Sequence, residues 1–490
     1  MLLSRSRAQL LAGLALTTLA EAGLAVALIP GHDLKLLVSP PLHLAALVFG
    51  LLVVSAGAAL FARYPIAVPV ALLAAAPFRI SVSIGSQKAY LLIPLYAVLS
   101  AAMLALVVRV LRTRETRQLP QVLAVPAGAF VLLAGLSLTW TRDLRQGTIE
   151  LLFFLFPFSA LVVAVLWSPF RNWHPRALAT TLVALAGLFS AVALFQRVTH
   201  GHLLAGDVER ANAYTTYFRV TSLFKDPSIF GRHVVIAIAV LLVAVWLGRI
   251  GFWLGTALIA FLWAGLFFSY SQSSFVALFA VGVAISYTLG GAALRRVLMV
   301  GAAVCVLAGA GFVAATAVND SARQATSGRT RLARVTWVVF TNHPLVGVGI
   351  GGQPQASRDE AKTQLSAKRD RSHTTPLTVA AELGLLGLAA YLALLAGASR
   401  LLFLLTRMNR PLGLGAAAVF LTLIVHSLFY AGFFEDPIVW GVMALAAWAL
   451  LALPQRSPAP PSPQVAEPAS QDGRPDRTPA ELQHQAPLAD

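Results

Sequence analysis

Apolar runs alternate with short polar turns along most of the chain. Each run has about the 20 residues that a helix needs to cross a bilayer, and none shows the two-residue alternation of barrel strands. The sequence therefore predicts an all-α polytopic membrane protein with about 12–14 transmembrane helices. The candidate spans are residues 8–29, 42–61, 65–78, 89–108, 121–140, 148–167, 177–197, 228–247, 251–268, 273–289, 297–318, 376–397, 412–431 and 437–453. The short run 65–78 and the tight pair 251–268 and 273–289 also fit a re-entrant interpretation.

Two long polar segments, 198–227 and 319–375, interrupt this pattern within the predicted membrane domain, 1–453. Long loops are usually functional or disordered, so we expect these two to form the active site, with short helices in the larger one. From residue 454 to 490 the chain becomes rich in Pro, Ala, Gln, Ser and Asp. This tail cannot bury a core and is expected to be disordered.

Composition supports the membrane class. Of 490 residues, 58% are hydrophobic and 12% charged, and mean hydropathy is +0.76. A soluble domain with so much apolar surface would aggregate. The single cysteine, Cys305, excludes an internal disulfide. Arg5 and Arg7 precede an apolar run that continues to Ile29, which favours a retained first helix over a cleaved signal peptide.

The distribution of basic residues predicts the orientation. When connections are assigned alternately to two sides, sixteen arginines fall on one side and five basic residues in the short loops of the other. The sixteen are Arg5, Arg7, Arg63, Arg109, Arg112, Arg114, Arg117, Arg171, Arg176, Arg249, Arg295, Arg296, Arg400, Arg407, Arg410 and Arg456; the five are Lys35, Arg79, Lys88, Arg142 and Arg145. The positive-inside rule then places both termini in the cytoplasm and the two long polar segments outside.

Much of the formal net charge of +17 lies in those two segments. Cationic charge on the outer side is away from nucleic acid and from the main anionic leaflet, so a substrate with phosphate groups is one explanation. Solvated surface charge that binds nothing is the alternative. In segment 198–227, Arg219 and Lys225 flank a turn before a helix that starts near Pro227, a natural anion site.

Several other polar residues are candidates. Ionisable groups inside spans are costly and often functional, and Glu21, Arg232, Glu382 and His426 are the main ones. In the turn 266–274, Ser271 and Gln272 are candidate contacts for sugar or phosphate oxygens, although helix capping is the more common role. His200, His202 and Asp207 do not have the spacing of a known metal site, so no metal is expected.

The long segment 319–375 has three parts. Residues 328–340 place Leu332, Val335 and Val339 on one helical face, which predicts a helix on the membrane surface. His343 precedes a glycine turn, 344–352, that lacks the strand and the Gly-Lys-Ser/Thr ending of a nucleotide-binding loop. His373 ends the segment where the next apolar helix begins.

The order of these motifs resembles the O-antigen ligase and polymerase superfamily, over roughly residues 215–390. Arg219-Val-Thr-Ser-Leu-Phe-Lys-Asp-Pro-Ser is similar to an Arg-x-x-Gly-x-Phe-x-(Asn/Asp)-Pro-Asn motif, and Ser269-Tyr-Ser-Gln stands in place of Thr-Gly-Ser-Arg. Gly328-Arg329 leads to Asn342-His343-Pro344, and His373-Thr374 is followed after nine residues by Gly384-Leu-Leu-Gly387. Gln272 departs from the family arginine, Ser222 from a glycine and Ser228 from an asparagine.

The resemblance implies glycan transfer from a polyprenyl-diphosphate-linked donor to a hydroxyl of a glycan, lipid or protein, on the outer face of the bacterial cytoplasmic membrane, without metal, nucleotide or other cofactor. Arg219 and Arg329 would then bind the diphosphate as bidentate partners, with Lys225 and Arg232 as further candidate cations. Ser271, Gln272, His343 and Glu382 are candidate contacts for glycan or acceptor, and structural support is the alternative role for His343. His373 would be the catalytic base, since the ordinary pKa of histidine suits proton transfer at neutral pH.

Three alternatives stay open on the sequence alone. Ligase and polymerase differ by acceptor, and nothing in the chain names the acceptor. A transporter or flippase would also be polytopic, but no pair of related halves with matching interrupted helices is visible. A scaffold that only binds lipid-linked glycan would not need His373.

Overall fold

A computed structural model describes most of the chain. The described residues are 1–28, 41–84, 87–113, 115–203, 206–214, 217–301, 303–304, 329–360 and 372–453. Residues 1–452 form one compact unit. The tail predicted for 454–490 and most of the span predicted for 297–318 lie outside the described residues.

The described residues form a helical bundle. Its helices are α1 Arg7–Leu28, α2 Pro41–Arg63, α3 Val68–Ala75, α4 Ile93–Arg112, α5 Gln121–Leu136, α6 Leu144–Glu150, α7 Phe156–Trp167, α8 His174–Thr199, α9 Gly206–Asn212, α10 Pro227–Trp246, α11 Phe252–Phe267, α12 Gln272–Leu289, α13 Arg329–Asn342, α14 Gln353–Glu360, α15 Thr375–Met408, α16 Arg410–Ser427 and α17 Pro437–Ala452. Residues 292–301 are also helical.

The predicted class, an all-α polytopic membrane protein, is confirmed. Within the described residues, ten helices are long and apolar enough to cross a membrane, and three shorter apolar helices accompany them. The exception to the helical pattern is a small antiparallel hairpin of β1 Ile80–Ile84 and β2 Gln87–Leu91, in which Ile80 pairs with Leu91. Helices dominate because lipid offers no hydrogen bonds to the backbone, so each segment must satisfy its own N–H and C=O groups.

Helix starts follow local capping chemistry. Asp143, Asp226, Ser271 and Asn409 each accept a hydrogen bond from a backbone N–H in the first turn of α6, α10, α12 and α16. These short polar side chains satisfy N–H groups that have no partner within the helix. The predicted apolar runs therefore begin as helices close to where the sequence changes from polar to apolar.

Helix α10 lies at the centre of the bundle. It packs against α8, α11, α12 and α16, and its residues Val234–Ala239 have almost no exposed surface. In contrast, the apolar surfaces of α1 and α2 are mostly exposed within the protein, as expected for helices that face lipid. A charged residue on α10, such as Arg232, is therefore buried in protein.

The segment predicted to lie on the membrane surface packs on protein instead. Leu332, Val335 and Val339 do share one face of α13, but all three are buried, and Val339 contacts Val348 and Ala381. The predicted amphipathic helix is therefore present, but its apolar face packs against protein and not against lipid. The sequence does not distinguish these two environments, because an apolar stripe on a short helix fits a protein groove as well as a lipid surface.

Helix α15 breaks at Gly384, and the glycine turn 344–352 fills the break. Gly384 has φ +63° and ψ −161°, a conformation that only glycine adopts readily. The carbonyls of Ala381 and Glu382 accept hydrogen bonds from the N–H groups of Val348 and Gly349, at 3.0 and 2.8 Å, and the N–H of Leu385 donates to Pro344 at 2.8 Å. The turn is thus a fixed part of the bundle.

Candidate functional site

Backbone and side-chain hydrogen bonds join the ends of several helices into one polar region, which we call the site end. Here α8, α11 and α16 end, and α10, α12, α15 and α17 begin. Residues from both long polar segments predicted from the sequence lie in this region. We describe first the half around Arg219 and then the half around His373.

Three hydrogen bonds, two to Asn212 and one to Ser269, hold Arg219. The side-chain oxygen of Asn212 accepts from the Arg219 N–H at 3.1 Å, and its amide nitrogen donates to the Arg219 carbonyl at 3.1 Å. The Nε–H of Arg219 donates to the carbonyl of Ser269 at 3.2 Å. Among the described residues, its two terminal nitrogens have no hydrogen-bond partner, and the side chain is half-buried. A guanidinium oriented in this way is suited to binding a diphosphate.

Gln196 holds the turn that follows Arg219. Its Oε1 accepts from the N–H groups of Thr221 and Ser222, and its Nε2 donates to the Ser222 carbonyl, all in buried surroundings. Ser222 has φ +55°, in the left-handed region that glycine adopts without strain. This conformation explains the glycine of the similar motif. In this chain the Ser222 hydroxyl offsets part of the strain by donating to Phe189 at 2.7 Å.

His202 completes the support of Arg219. Its Nε2 lies 2.8 Å from the amide nitrogen of Asn212 and its Nδ1 lies 3.2 Å from the Thr221 hydroxyl. Burial lowers the pKa of His202, and the nearby carboxylate of Glu209 partly opposes that shift. Both ring nitrogens thus contact protein groups, and burial favours the neutral imidazole, so His202 supports the structure in this arrangement.

A second cation lies close to this half of the site. The Arg197 guanidinium lies over the Phe268 ring, 5.3 Å from its centroid, and its Nη1 donates to Nε2 of His200 at 3.2 Å. Phe268 directly precedes Ser269, to which Arg219 bonds. Gln272, which replaces the family arginine, is exposed nearby. Arg197 is thus a candidate source of the charge that Gln272 does not supply.

The serine turn is mainly a helix cap. The Ser271 hydroxyl is buried, accepts from the Ser274 N–H and contacts the hydroxyls of Ser273 and Ser274. Ser273 also contacts Nε2 of the buried His426 at 3.1 Å. This contact links the start of α12 to the end of α16.

The second half of the site surrounds His373. The N–H of Ser372 donates to Oε1 of Gln353 at 3.0 Å, and Gln353 is fully buried between Thr336 and Ser357. The Thr374 hydroxyl donates to the carbonyl of Leu428 at 3.2 Å. His373 therefore stands between two anchored neighbours, with its own side chain exposed.

Both halves attach to the end of α16. Ser273, from the turn that binds Arg219, contacts His426, and Thr374, beside His373, contacts Leu428. These two attachment points are two residues apart. The fold thus attaches the turn that holds Arg219 and the residue next to His373 to the same helix end, although 154 positions separate Arg219 from His373 in the sequence (373 − 219).

A small cavity lies below the start of α15. It encloses about 70 Å³, and its polar lining includes Thr375, Thr378 and the carboxylates of Glu150, Glu382 and Glu435. Phenylalanines from three segments form its apolar wall: Phe130, Phe154, Phe433 and Phe434. Glu382, predicted from the sequence as a site residue, faces this cavity and is buried.

Residues 256–392 match the family model described as O-antigen ligase. This segment of the chain is O-antigen ligase-like. The resemblance predicted from the motifs is confirmed, and it indicates a glycan-transferring membrane enzyme. No curated protein matches the chain significantly.

The O-antigen ligase segment includes the serine turn, α13, the glycine turn and His373. Arg219, Asn212 and Gln196 precede the segment, whereas Ser269, which accepts from Arg219, lies within it. The assignment of Arg219 therefore depends on the structure and the motif together. Among the described residues, no group of three or more His, Cys, Asp or Glu is arranged to hold a metal ion. The three carboxylates around the cavity therefore do not form such a cluster.

The remaining predicted residues have varied surroundings. Arg232 is buried, and its Nη2 lies 2.8 Å from Oδ2 of Asp436. Lys225 is exposed next to Asp226, which caps α10. Arg329 begins α13, but its side chain is outside the described part of the chain. His343 contacts Oε1 of Glu360 at 2.9 Å, which joins the ends of α13 and α14.

Sequence reasoning missed several supporting residues: Gln196, Arg197, Asn212, Gln353 and Asp436. Asp436 has the clearest sequence signal, because it precedes Pro437 at the start of an apolar run, the place of a helix N-cap. Its oxygen does accept from the Ile438 N–H at 2.8 Å. Its second role, as partner of Arg232, depends on a contact between distant positions.

Proposed function

We propose that the chain transfers a glycan from a polyprenyl-diphosphate donor to an acceptor hydroxyl, at the outer face of a bacterial cytoplasmic membrane. The observation that carries this proposal is that two segments attach to the end of α16: the serine turn, which holds Arg219 through Ser269, and Thr374, which follows His373. The O-antigen ligase match supports the reaction class.

In the proposed reaction, His373 takes the proton of the acceptor hydroxyl, and the oxygen attacks the sugar carbon attached to the diphosphate. The bond between that carbon and the phosphate oxygen breaks, and the prenyl diphosphate leaves with the electron pair. Arg219 and Lys225 stabilise the negative charge that develops on the leaving group, with Arg197 as an additional cation. The reaction needs no metal in this scheme.

The other predicted residues have different proposed roles. Glu382 is buried in the cavity below α15, and His343 is engaged with Glu360, so we propose that both support the site and that exposed Gln272 contacts the glycan. Ser271 caps α12 and Arg232 pairs with Asp436; substrate contact by either stays a prediction. Arg329 also stays a predicted diphosphate ligand.

The test uses membranes that lack the native activity, supplied with a lipid-linked glycan and a candidate acceptor. We expect His373→Ala to lower transfer about 100-fold or more, as for loss of a general base, and Arg219→Ala to lower it about 100-fold through loss of charge stabilisation. Arg249→Ala, at an exposed arginine beyond the far end of α10, is the matched control and retains full transfer.

Full transfer by both His373→Ala and Arg219→Ala would contradict the site. A product with repeated glycan units on the lipid carrier would identify a polymerase, and a single glycan on another acceptor would identify a ligase. Movement of a solute or lipid across the membrane that survives both changes, with no glycan product, would favour the transporter class.

A further inference from the structure

Four aromatic rings form a continuous row from the last turns of α11 to the neighbourhood of Arg219. The Trp263 and Phe267 centroids are 5.2 Å apart, Phe267 and Tyr270 are 5.9 Å apart, and Tyr270 and Tyr217 are 4.7 Å apart. Trp263 and Phe267 are four residues apart on α11 and so share a helix face. We call these four residues the aromatic row.

The row is accessible from outside the bundle. The exposed fractions are 46% for Trp263, 40% for Phe267 and 45% for Tyr217, and Tyr270 is half-buried. Because α11 is a strongly apolar helix, the exposed rings of Trp263 and Phe267 face lipid in the membrane. The upper two rings lie in the polar loops of the site end.

Tyr270 adopts a conformation that is costly for its residue type. Its φ is +50°, in the left-handed region, where a non-glycine residue is strained. Such residues persist where the surrounding structure determines them, and they are frequent at functional sites. In this chain the strained backbone places the Tyr270 ring between Phe267 and Tyr217, which makes the row continuous.

The upper end of the row coincides with the proposed diphosphate site. Tyr217 is two residues before Arg219, and the Arg219 Nε donates to Ser269, the residue before Tyr270. An apolar surface that starts in the membrane therefore leads to a guanidinium whose terminal nitrogens have no partner among the described residues. A molecule with a long apolar chain and a diphosphate head would match both parts in this order.

We propose that the aromatic row binds the prenyl chain of the lipid-linked donor and guides its diphosphate to Arg219. The inference rests on the proposed function for the identity of the donor. The flat rings offer large rigid apolar surfaces to an unsaturated chain, and the row sets the depth at which the diphosphate stops. An interfacial aromatic belt without a specific ligand is the competing explanation.

The same helix offers a matched control. Phe252 and Trp253 begin α11 at its other end, with exposed fractions of 63% and 81% and ring centroids 5.3 Å apart. They form an exposed aromatic pair of similar size that is remote from Arg219 in the helix. A general membrane effect of losing aromatic surface should be the same at both pairs.

The test measures the affinity of purified protein in lipid nanodiscs for two probes, undecaprenyl diphosphate and geranyl diphosphate. We expect Trp263→Ala/Phe267→Ala to weaken binding of the long-chain probe about tenfold and to leave the short-chain probe unchanged. Phe252→Ala/Trp253→Ala should bind both probes as the wild type does. Arg219→Ala should weaken both probes, since both carry the diphosphate.

A second measurement avoids dependence on stability of the variants. A photo-crosslinking amino acid at position 263 should label undecaprenyl diphosphate, and the same group at position 253 should not. Full long-chain affinity in the Trp263→Ala/Phe267→Ala variant, or equal loss in the control pair, would overturn the inference. Row-dependent binding without any glycan transfer would leave the inference standing and reject the proposed function.

Discussion

His202 determines, at the scale of single residues, how firmly Arg219 is held. The orientation of the Asn212 amide is fixed, because it accepts from the N–H and donates to the carbonyl of Arg219. Its amide nitrogen therefore donates to Nε2 of His202, which must carry no proton. Protonation of His202 would place an N–H donor on Nε2 opposite the N–H donor of Asn212. This would weaken the hold of Asn212 on Arg219.

The pH dependence of stability follows from this contact. Burial lowers the pKa of His202 in the folded protein, so the neutral form is favoured. Its contribution to stability is complete above the ordinary pKa of histidine and is lost as pH falls through the lowered value. The nearby carboxylate of Glu209 favours protonation and partly opposes the effect of burial. Acidification from neutral pH should therefore loosen the Arg219 segment.

Thermal unfolding of wild type and His202→Gln, measured between pH 7.5 and 5, tests this expectation. The wild type should lose stability relative to the variant as pH falls, by less than about 1 kcal/mol because the ring is partly solvated. The control is His200→Gln, an exposed histidine in the same loop. A difference between wild type and His202→Gln that does not vary with pH would refute the role of His202.

At the scale of elements, the break in α15 and the glycine turn depend on each other. A side chain at Gly384 would collide with the backbone of Leu345, and one at Gly347 would collide with the backbone of Glu382. Both glycines also have positive φ, at +63° and +66°. The close approach lets backbone groups freed by the break in α15 bond to the turn.

Gly384→Ala should therefore destabilise the protein by about 3 kcal/mol or more, from backbone strain and the collision together. The control is Gly282→Ala within α12, where an added methyl group meets no atom within 4 Å and should stabilise the helix by up to about 1 kcal/mol. Unfolding in detergent, followed by circular dichroism, compares the two. Equal stability of both variants would mean that the break in α15 is not required.

The same elements show how far the sequence predicts this fold and site. Hydropathy predicts the transmembrane helices well, because lipid selects runs of one length and composition. The break at Gly384 and the partner of Arg232 depend on contacts between positions far apart, which no local pattern encodes. The roles of amides such as Asn212 and Gln353 could not be predicted, because these side chains bond to backbone groups that are distant in the sequence or carry no residue-specific signal.

At the scale of the whole molecule, one ion pair ties the central helix to the site end. Arg232 on α10 pairs with Asp436 at the start of α17, and both side chains are almost fully buried. The neighbouring Glu435 lines the same cavity as Thr375 and Glu382. The pair thus connects α10, which follows the Arg219 turn, with the chain segment next to that cavity.

Breaking the pair and replacing the pair should have different effects. Asp436→Asn keeps an oxygen to cap α17 but leaves Arg232 as a buried charge without its counter-ion, which should cost about 3–5 kcal/mol. Arg232→Met/Asp436→Asn removes both charges and should recover most of that loss. If Arg232 has only this structural role, the double variant also retains glycan transfer. A stable double variant that does not transfer glycan would instead show that the charged pair is needed for the reaction as well as for folding. The two roles can be distinguished because the double variant restores stability without restoring the guanidinium of Arg232.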